Sequence, residues 1–501
     1  VMGAGTLISR ILGFLRDILI ANFFGTSAVL EAFLVSFRLP NIFRSIFAEG
    51  FSDSVAVPVL SEYQRDRKSL FRISGHLFTL SLLVLTLFTL AGILGAKFLV
   101  TVIAPGFLDD SFKFNLAVSF TRITFIYLFL IGLSSSLIST LYSLKRFFVV
   151  SITPVFLNIT FIAGIPFFAG SLENYILVIC VVVAGVLQLI FPLIFLLREG
   201  FSFNFNLRSS LKDSVVIKMF KLFVPRIWSS IVYHLQVFID TIYSSFSFIV
   251  GQGALASVYY ANRLIQLPFA LIALSISRVV VVDLSSYGSE GDMENFKKLF
   301  VFSFQNILFF IIPVAVFFLF VPDAVIEVIY RRGEFDPYSL NMTSSVLFFY
   351  AFGLLFFCGI KLLVSSFYSL KDTSTPAKTA TLSLIVNAIL SAILMFPLKI
   401  GGVALGSSLA AGFNFVLLYY KLKKKIGSLD WGDTLTQFFK IVFLSILTGG
   451  LARFLWFHLP FNKYIRILLM VSFITVFFIT SGYFFKFKQI DYFIRWISRK
   501  K

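Results

Sequence analysis

Charged residues are scarce in this chain of 501 residues: they make up 13% of it, against about 25% in a typical soluble domain. Hydrophobic residues reach 58%, and the mean hydropathy is +0.94. A composition this apolar excludes an ordinary soluble protein and a disordered chain. It is typical of a protein that spans a membrane many times.

Cysteine and histidine are also rare. The two cysteines, Cys180 and Cys358, lie in apolar stretches, so we expect neither a disulfide framework nor a thiolate metal cluster. The three histidines, His76, His234 and His458, are too scattered for a histidine metal site. The net charge of +19 does not indicate nucleic acid, because most basic residues lie between apolar runs. The excess of basic residues indicates either loops that are kept in the cytoplasm by their positive charge or a site for an anionic ligand.

Long apolar runs predict transmembrane helices, each of which needs about 20 residues. Nine runs contain no charged residue: 77–96, 123–144, 147–172, 174–197, 299–322, 337–360, 379–398, 400–420 and 467–485. Five further runs carry charges, near 2–24, 29–62, 214–249, 253–286 and 434–456. The sequence therefore predicts an all-α polytopic membrane protein with 14 transmembrane helices.

The basic residues of the loops predict the orientation. Loops after even-numbered predicted helices, with the C-terminal tail, contain 25 lysines and arginines, and loops after odd-numbered helices contain 7. Because basic loops stay in the cytoplasm, both termini are expected there. No cleavable signal peptide is expected either, since Arg10, Arg16 and Asp17 interrupt the first apolar run.

Three short motifs recur at matching helix ends. Residues 25–28 (GTSA) match residues 251–254 (GQGA), and residues 142–145 match residues 368–371 as YSLK. The third pair is 59–63 with 283–287. This repeat predicts two parallel six-helix lobes and an extra helix pair, an arrangement typical of transporters. The predicted domains are residues 1–200 (helices 1–6), 213–425 (helices 7–12) and 430–501 (helices 13 and 14).

Charges within the predicted spans are concentrated in helices 1, 2, 7 and 8. They include Arg10, Arg16, Asp17, Glu31, Arg38, Arg44, Glu49, Asp240 and Arg263. A charge at the bilayer centre costs about 2.5–3.5 kcal/mol, so such residues should face a bundle interior or water. We expect them to line a central cationic cavity between the lobes. Arginine binds phosphate oxygens in a bidentate manner, which favours an anionic, phosphate-bearing substrate.

Local pairing is the alternative explanation for some of these charges. Arg10 and Asp17 are seven residues apart on one helix stripe, where they could neutralise each other. Four arginines have no obvious partner three or four positions away: Arg16, Arg38, Arg44 and Arg263. Pro40 interrupts predicted helix 2 and Pro268 lies in predicted helix 8, which places hinges in the helices that carry the charge.

Several motifs resemble the MurJ/MviN family. They are 9–17 (SRILGFLRD), 31–33 (EAF), 37–44 (FRLPNIFR), 47–50 (FAEG), 57–60 (VPVL) with 62–63 (EY), and 259–264 (YYANRL) with Pro268. The resemblance covers essentially the whole chain, and residues 1–63 are its most specific part.

The family comprises lipid II flippases of peptidoglycan synthesis, within the multidrug/oligosaccharidyl-lipid/polysaccharide exporter superfamily. The resemblance implies that Arg10, Arg16, Arg44 and Arg263 are essential cavity arginines. Together with Glu31, Arg38, Asp17 and Glu49 they form the expected substrate-binding set. It further implies a monomer in the bacterial cytoplasmic (inner) membrane, with lipid II and membrane lipids as partners and helices 13 and 14 as a groove for the lipid tail.

Three positions depart from the family pattern. Glu31 stands where aspartate is usual, Ser45 replaces a basic residue, and Asn262 replaces an acidic one. The cavity therefore loses one cation and one anion relative to the commoner pattern, which could change its tolerance of headgroups.

The expected activity is lipid flipping by alternating access rather than enzymatic catalysis. The sequence has no ATP-binding motif, so an ion gradient or the membrane potential should supply the energy, with Na⁺ or H⁺ as the coupling ion and no other cofactor. Asp240, Asn387 and Ser407 are a candidate monovalent cation site, although Asp240 could instead pair with an arginine. The alternatives are another exporter of the superfamily, for O-antigen or drugs, and a membrane enzyme.

Overall fold

The computed structural model describes residues 2–203, 205–432, 434–487 and 489–490, apart from the side chains of residues 2–7, 39, 46–49, 53–54, 173 and 224–234. All regular structure in these residues is helical. The α-helices are α1 (Met2–Phe24), α2 (Ala28–Phe43), α3 (Val57–Glu62), α4 (Arg67–Leu94), α5 (Ala96–Ile103), α6 (Ser111–Ser143), α7 (Phe147–Ile152), α8 (Val155–Leu172), α9 (Ile176–Arg198), α10 (Leu207–Lys212), α11 (Ser214–Ser245), α12 (Ser247–Val250), α13 (Ala254–Pro268), α14 (Ser275–Glu290), α15 (Met293–Phe320), α16 (Pro322–Ile329), α17 (Pro337–Ser369), α18 (Ser374–Ile426), α19 (Thr434–His458) and α20 (Lys463–Phe484).

Ten helices in the described residues are long and apolar enough to cross a membrane. One of them, α18, contains a kink at Lys399, whose φ of 52° is not helical, so it comprises two consecutive spans. The long helices α1 and α11, and the segment that runs from α2 to α3, have charged residues within their apolar sequences. The structure confirms the predicted class, a polytopic all-α membrane protein, and is compatible with fourteen spans.

Two predicted helix boundaries are wrong. The apolar run 147–172 is two helices, α7 and α8, because the chain turns at Thr153 and Pro154. Helix α6 begins at Ser111 rather than at residue 123, since the carboxylate of Asp110 accepts a hydrogen bond from the Lys113 backbone N–H and caps the helix. Lys113, which the charge count assigned to a loop, is therefore a helical residue.

The order of helices repeats with a constant offset of 226 residues. Ala28 and Ala254, Arg67 and Met293, and Ser111 and Pro337 are equivalent helix starts, as are Ala96 and Pro322. Corresponding turns share a left-handed backbone: φ is 60° at Lys145 and 58° at Lys371. These matching boundaries agree with the repeat that the short sequence motifs indicated.

An ion pair is also repeated, but with its charges exchanged. In the first half Arg146 pairs with Glu199, with 2.6 Å between Nε and Oε1. In the second half the equivalent positions are Asp372 and Lys425, whose Nζ lies 3.0 Å from Oδ2. Both halves therefore have an ion pair at these equivalent positions, but the basic and the acidic residue have changed places.

The chain forms two compact units. The first consists of Val1–Ser247 with Arg332–Phe335, and the second of Phe248–Arg331 with Asp336–Lys501. Helix α11, which the repeat assigned to the second lobe, belongs to the first unit by compactness. The sequence repeat and the compact units thus place α11 differently. The predicted domain boundaries therefore stay a prediction based on the repeat.

The helices α19 and α20 extend the second unit. Gly449 of α19 lies against Phe320 of α15, and any larger side chain there would meet that ring. Arg453 anchors α19 through Asp323, with Nη1 lying 2.6 Å and 2.8 Å from the two carboxylate oxygens. Large apolar side chains of both helices stay exposed, including Phe443, Phe457 and Phe484, as expected for surfaces that contact lipid.

Candidate functional site

Proline changes the type of helix in the charged segment instead of breaking it. Pro40 lies inside α2, and the chain continues without interruption as a π-helix over Arg44–Ala56. At the equivalent place in the second half, Pro268 is followed by a π-helical segment, Phe269–Leu274. The predicted interruption of helix 2 is therefore wrong. π-Helical turns are frequent at functional sites because they displace side chains from the regular helical spacing.

Hydroxyl groups of α6 hold this segment in place. Thr124 donates to the carbonyl of Ser36 at 2.9 Å, and the hydroxyls of Ser139 and Ser52 are 2.7 Å apart. All of these groups are buried. Because small polar residues allow close helix contact and satisfy the irregular backbone, they position α2 and the first π-helical segment against α6.

The first unit holds Arg16 and Asp17 as a direct ion pair. The guanidinium Nη2 lies 2.8 Å and Nε 3.1 Å from the same carboxylate oxygen. Asp17 is buried, and Arg16 is largely buried. Asp17 thus pairs with its neighbour Arg16. The expectation concerned residues three or four positions away, whereas this partner is the adjacent residue, although neighbours on a helix usually point in different directions.

Helix α8 positions the arginine. The guanidinium of Arg16 lies over the ring of Phe161, 5.7 Å from its centroid. The same ring contacts Phe33 of α2, with 6.0 Å between centroids. Asn158, one helical turn earlier, donates to the Ser9 carbonyl of α1 at 3.0 Å. These contacts orient a cation on an otherwise apolar helix.

Arg44 and Arg263 have neutral neighbours. Nε of Arg44 donates to Asn41 Oδ1 at 3.1 Å, three residues earlier. Arg263 lies over the ring of Tyr259, 5.1 Å from its centroid, and Nη2 is 3.4 Å from the tyrosine oxygen. Each arginine therefore has a neutral polar neighbour three or four residues earlier in its helix. Arg44 is the first residue of a π-helical segment, and Arg263 lies five residues before Pro268.

The other predicted cavity residues differ in exposure. Arg10 is exposed on α1, and Arg38 is half-buried on α2. The side chain of Glu49 lies outside the described residues. Arg10, Arg16, Arg38 and Arg44 belong to the first unit and Arg263 to the second.

Glu31 forms a buried ion pair that the sequence pattern did not predict. Lys113 Nζ lies 2.6 Å from Glu31 Oε2 and 3.2 Å from Ser247 Oγ, and it sits over the Phe107 ring at 5.0 Å. The exposed fractions of the two side chains are 1% and 0%. The signal that could have found Lys113 is the capping aspartate at position 110, which extends α6 beyond its uncharged run.

The proposed cation-site residues are split between the two units. Asn387 and Ser407 are in contact within the second unit: the Ser407 and Ser391 hydroxyls each donate to Asn387 Oδ1 at 3.1 Å. Asp240 is half-buried on α11, in the first unit. No group of three His, Cys, Asp or Glu side chains that could hold a metal ion occurs among the described residues. The hydrogen bonds from Ser391 and Ser407 to Asn387 fit a polar contact between helices as well as they fit a group of oxygen ligands for a cation.

Two of the three positions that depart from the family pattern, Ser45 and Asn262, form hydrogen bonds with nearby residues of the same helical segment. Ser45 donates to the Ile42 carbonyl at 2.8 Å. Asn262 accepts from the Gln266 amide at 3.3 Å. A neutral hydrogen bond therefore stands at each of these two places, where the family usually has a charge.

The fold is that of a multi-span transporter. A solved structure described as "Lipid II flippase MurJ, inward closed conformation" matches with a TM-score of 0.80 and 25% identity, over 97% of this chain and 98% of that one. A multidrug resistance MATE family transporter of the MOP superfamily, in an inward-facing conformation, matches with a TM-score of 0.68 at 15% identity, over 84% of this chain and 95% of that one. The second likeness concerns the fold alone.

Sequence comparison gives the family. The sequence model described as "Lipid II flippase MurJ" matches residues 20–476. A "Probable lipid II flippase MurJ" of Buchnera aphidicola subsp. Schizaphis graminum is 30% identical, over 98% of this chain and 97% of its own length. The similarly described protein of Vibrio cholerae is 32% identical, over 84% and 81%. The chain belongs to the MurJ family of lipid II flippases, a family of bacterial multi-pass membrane proteins.

Proposed function

We propose that this chain moves lipid II, the lipid-linked peptidoglycan precursor, from the cytoplasmic to the outer leaflet by alternating access. The observation that carries the proposal is the Arg16–Asp17 pair, a cation fixed by a buried carboxylate and an aromatic ring on an apolar helix. Charged residues within membrane-spanning helices are costly to insert and typically mark the path of an ion or a charged substrate. Membership of the lipid II flippase family identifies the substrate class.

In this proposal the arginines bind the pyrophosphate of lipid II. Arg10, Arg16, Arg38 and Arg44 come from the first unit and Arg263 from the second. The planar guanidinium presents paired donors that match phosphate oxygens, so several arginines can share one pyrophosphate. Asp17 orients Arg16, while Glu31 with Lys113 supports the start of α2. Glu49 completes the proposed set.

The lipid tail stays in an apolar environment while the headgroup crosses. Helices α19 and α20 are proposed to hold it, because their exposed side chains are largely aromatic or aliphatic. The protein is proposed to act as a monomer in the cytoplasmic membrane, with both termini in the cytoplasm and without nucleic acid as a partner. No catalytic step on the substrate is required.

The function is tested in a bacterium depleted of its own lipid II flippase. Expression of this chain should restore growth, and a membrane-impermeant enzyme that cleaves lipid II should then reach its substrate from outside. Arg16→Ala should abolish both results while the protein still inserts in the membrane. The matched control is Arg198→Ala, which removes an arginine that also lies over a ring, that of Phe195 at 5.7 Å. Normal lipid II export by the Arg16 variant would contradict the proposal, as would failure of the parent chain.

Transport also needs a source of energy. We propose the membrane potential or a Na⁺ or H⁺ gradient, with Asp240 as the acidic group and Asn387 and Ser407 as additional oxygen donors. One elementary charge moved through 100 mV is worth about 2.3 kcal/mol, enough to bias a conformational equilibrium. Asp240→Asn should therefore weaken the dependence of flipping on the gradient while lipid II binding is retained. Unchanged dependence on both cations and on the potential would remove Asp240 from the mechanism.

A further inference from the structure

A cationic cleft lies on the first unit, and none of the arginines of the proposed transport site lines it. It has a volume of about 400 Å³ and is formed by α5, the turn that follows α5, and the first three turns of α6. Its polar lining consists of Lys97, Ser111, Asn115, Ser119 and Arg122. No acidic residue lines the cleft in the described part of the chain. The cleft therefore presents two positive charges together with neutral hydrogen-bond donors.

Both cations are available to a ligand. Lys97 and Arg122 are exposed, and no carboxylate of the described residues forms an ion pair with either of them. Asn115, Ser119 and Arg122 are spaced four and three residues apart, so they share one face of α6. A guanidinium, an amide and two hydroxyls that converge in this way suit the oxygens of a phosphate.

The helix register places both cations at one membrane level. Helices α4 and α6 pack side by side in opposite directions, since Gly92 contacts Phe125 and Leu85 contacts Gly132. Lys97, five residues after Gly92 at the start of α5, lines the same cleft as Ser119 and Arg122.

This level corresponds to the lipid headgroups. The uncharged run that covers most of α4, residues 77–96, ends immediately before Lys97. The uncharged run of α6, residues 123–144, begins immediately after Arg122. Twenty helical residues rise about 30 Å, the thickness of the hydrocarbon core. Lys97 and Arg122 therefore lie where the phosphates of one leaflet are found.

We propose that this cleft binds the phosphodiester headgroup of an anionic membrane phospholipid. The apolar surface beneath the headgroup is available to acyl chains, because Leu94 is 83% exposed and Ile126, one turn below Arg122, is 42% exposed. The leaflet is the one at the α4–α6 connection, which is the outer leaflet in the orientation proposed above. Binding here is independent of lipid II transport, since none of the proposed transport residues lines the cleft.

Photocrosslinking tests the site. The full chain is placed in nanodiscs of phosphatidylcholine that contain a small fraction of phosphatidylglycerol with a photoreactive group near its headgroup. Mass spectrometry should find the label on residues 94–126. Lys97→Gln and Arg122→Gln should each reduce that labelling about fivefold, the effect of one cation near anionic lipid. Both side chains are exposed, so the variants should fold normally.

The control variant is Lys399→Gln, which removes an exposed lysine expected on the same side of the membrane. Its labelling should equal that of the parent. Equal labelling of residues 94–126 by a matched phosphatidylcholine probe would overturn the proposal, because no anion would then be recognised. Displacement of the label by free inorganic phosphate would overturn it as well, in favour of a soluble-anion site. Unchanged labelling in both glutamine variants would exclude the two cations.

Discussion

Lys113 of α6 and Glu31 of α2 form an ion pair of 2.6 Å in which neither side chain reaches solvent. The equivalent residues of the second half, 226 positions later, are Ser339 and Ser257, and both are buried as well. Two buried serines of the second half therefore stand at the positions where the first half has a buried pair of opposite charges.

This equivalence predicts the outcome of replacing the two charged residues by serines. Glu31→Ser or Lys113→Ser alone should lower the free energy of unfolding by about 3–5 kcal/mol, because each leaves a buried charge without its main partner. The double serine variant should recover most of that loss. Thermal unfolding of the purified protein provides the measurement, and a double variant no more stable than either single one would contradict the interpretation.

Variants of the Arg16–Asp17 pair can distinguish an effect on the stability of the protein from an effect on lipid II transport. Arg16→Gln removes the guanidinium from a buried carboxylate, so it should destabilise the protein by about 3–5 kcal/mol and abolish lipid II export. Arg16→Gln combined with Asp17→Asn leaves no buried charge and should restore stability but not export. The readouts are the unfolding temperature and growth after depletion of the host flippase. Growth supported by the double variant would show that Arg16 only neutralises Asp17.

Arg44 and Arg263 give a prediction on binding. The substitutions Arg44→Gln and Arg263→Gln each remove a guanidinium from the proposed pyrophosphate site. Each should weaken binding of a lipid-linked pyrophosphate about tenfold or more, the range for a charge-assisted hydrogen bond. Lysine at either position should restore binding only in part, because a point charge replaces a planar fork. Binding equal to that of the parent in both glutamine variants would exclude them from the site.

Asp372 gives a prediction on pH. The Thr375 backbone N–H and the Lys425 ammonium hold the pKa of its carboxyl group down, from 3.8 to about 2, against the opposing effect of burial. A lowered pKa in the folded state stabilises the protein above pH 3.8, and this contribution is lost as the pH falls toward 2. Asp372→Asn should therefore cost about 1 kcal/mol at pH 7, after allowance for solvent screening, and progressively less below pH 3.8.

The control for Asp372 is Glu294→Gln. Glu294 pairs with Lys298, but both side chains are largely exposed, so this change should leave the unfolding temperature unaltered at every pH. A loss of stability by Asp372→Asn that stays constant from pH 7 to pH 3 would refute the assignment to the Asp372 carboxylate.

The amino-acid sequence by itself determined the class of the protein. Apolar runs long enough to span a bilayer and too little charge for a soluble surface permit few alternatives. The repeat was also readable, because helix caps and turns such as Asp110 and Lys145 are local features whose equivalents recur at Asp336 and Lys371. Helix caps and turns depend on residues that are close together in the sequence, so they can be predicted from it.

Tertiary structure alone decided how the charges pair. Glu31 and Lys113 are 82 residues apart, and only the packing of α2 on α6 brings them together in a medium that excludes water. The carbonyl of Ser36 likewise depends on another helix, because Pro40 has no backbone N–H to donate to it and Thr124 of α6 donates instead. The periodicity of a single helix cannot reveal either feature, because the stabilising partner lies on another helix. In an apolar environment, an ion pair or hydrogen bond with that partner outweighs the local preferences of the sequence.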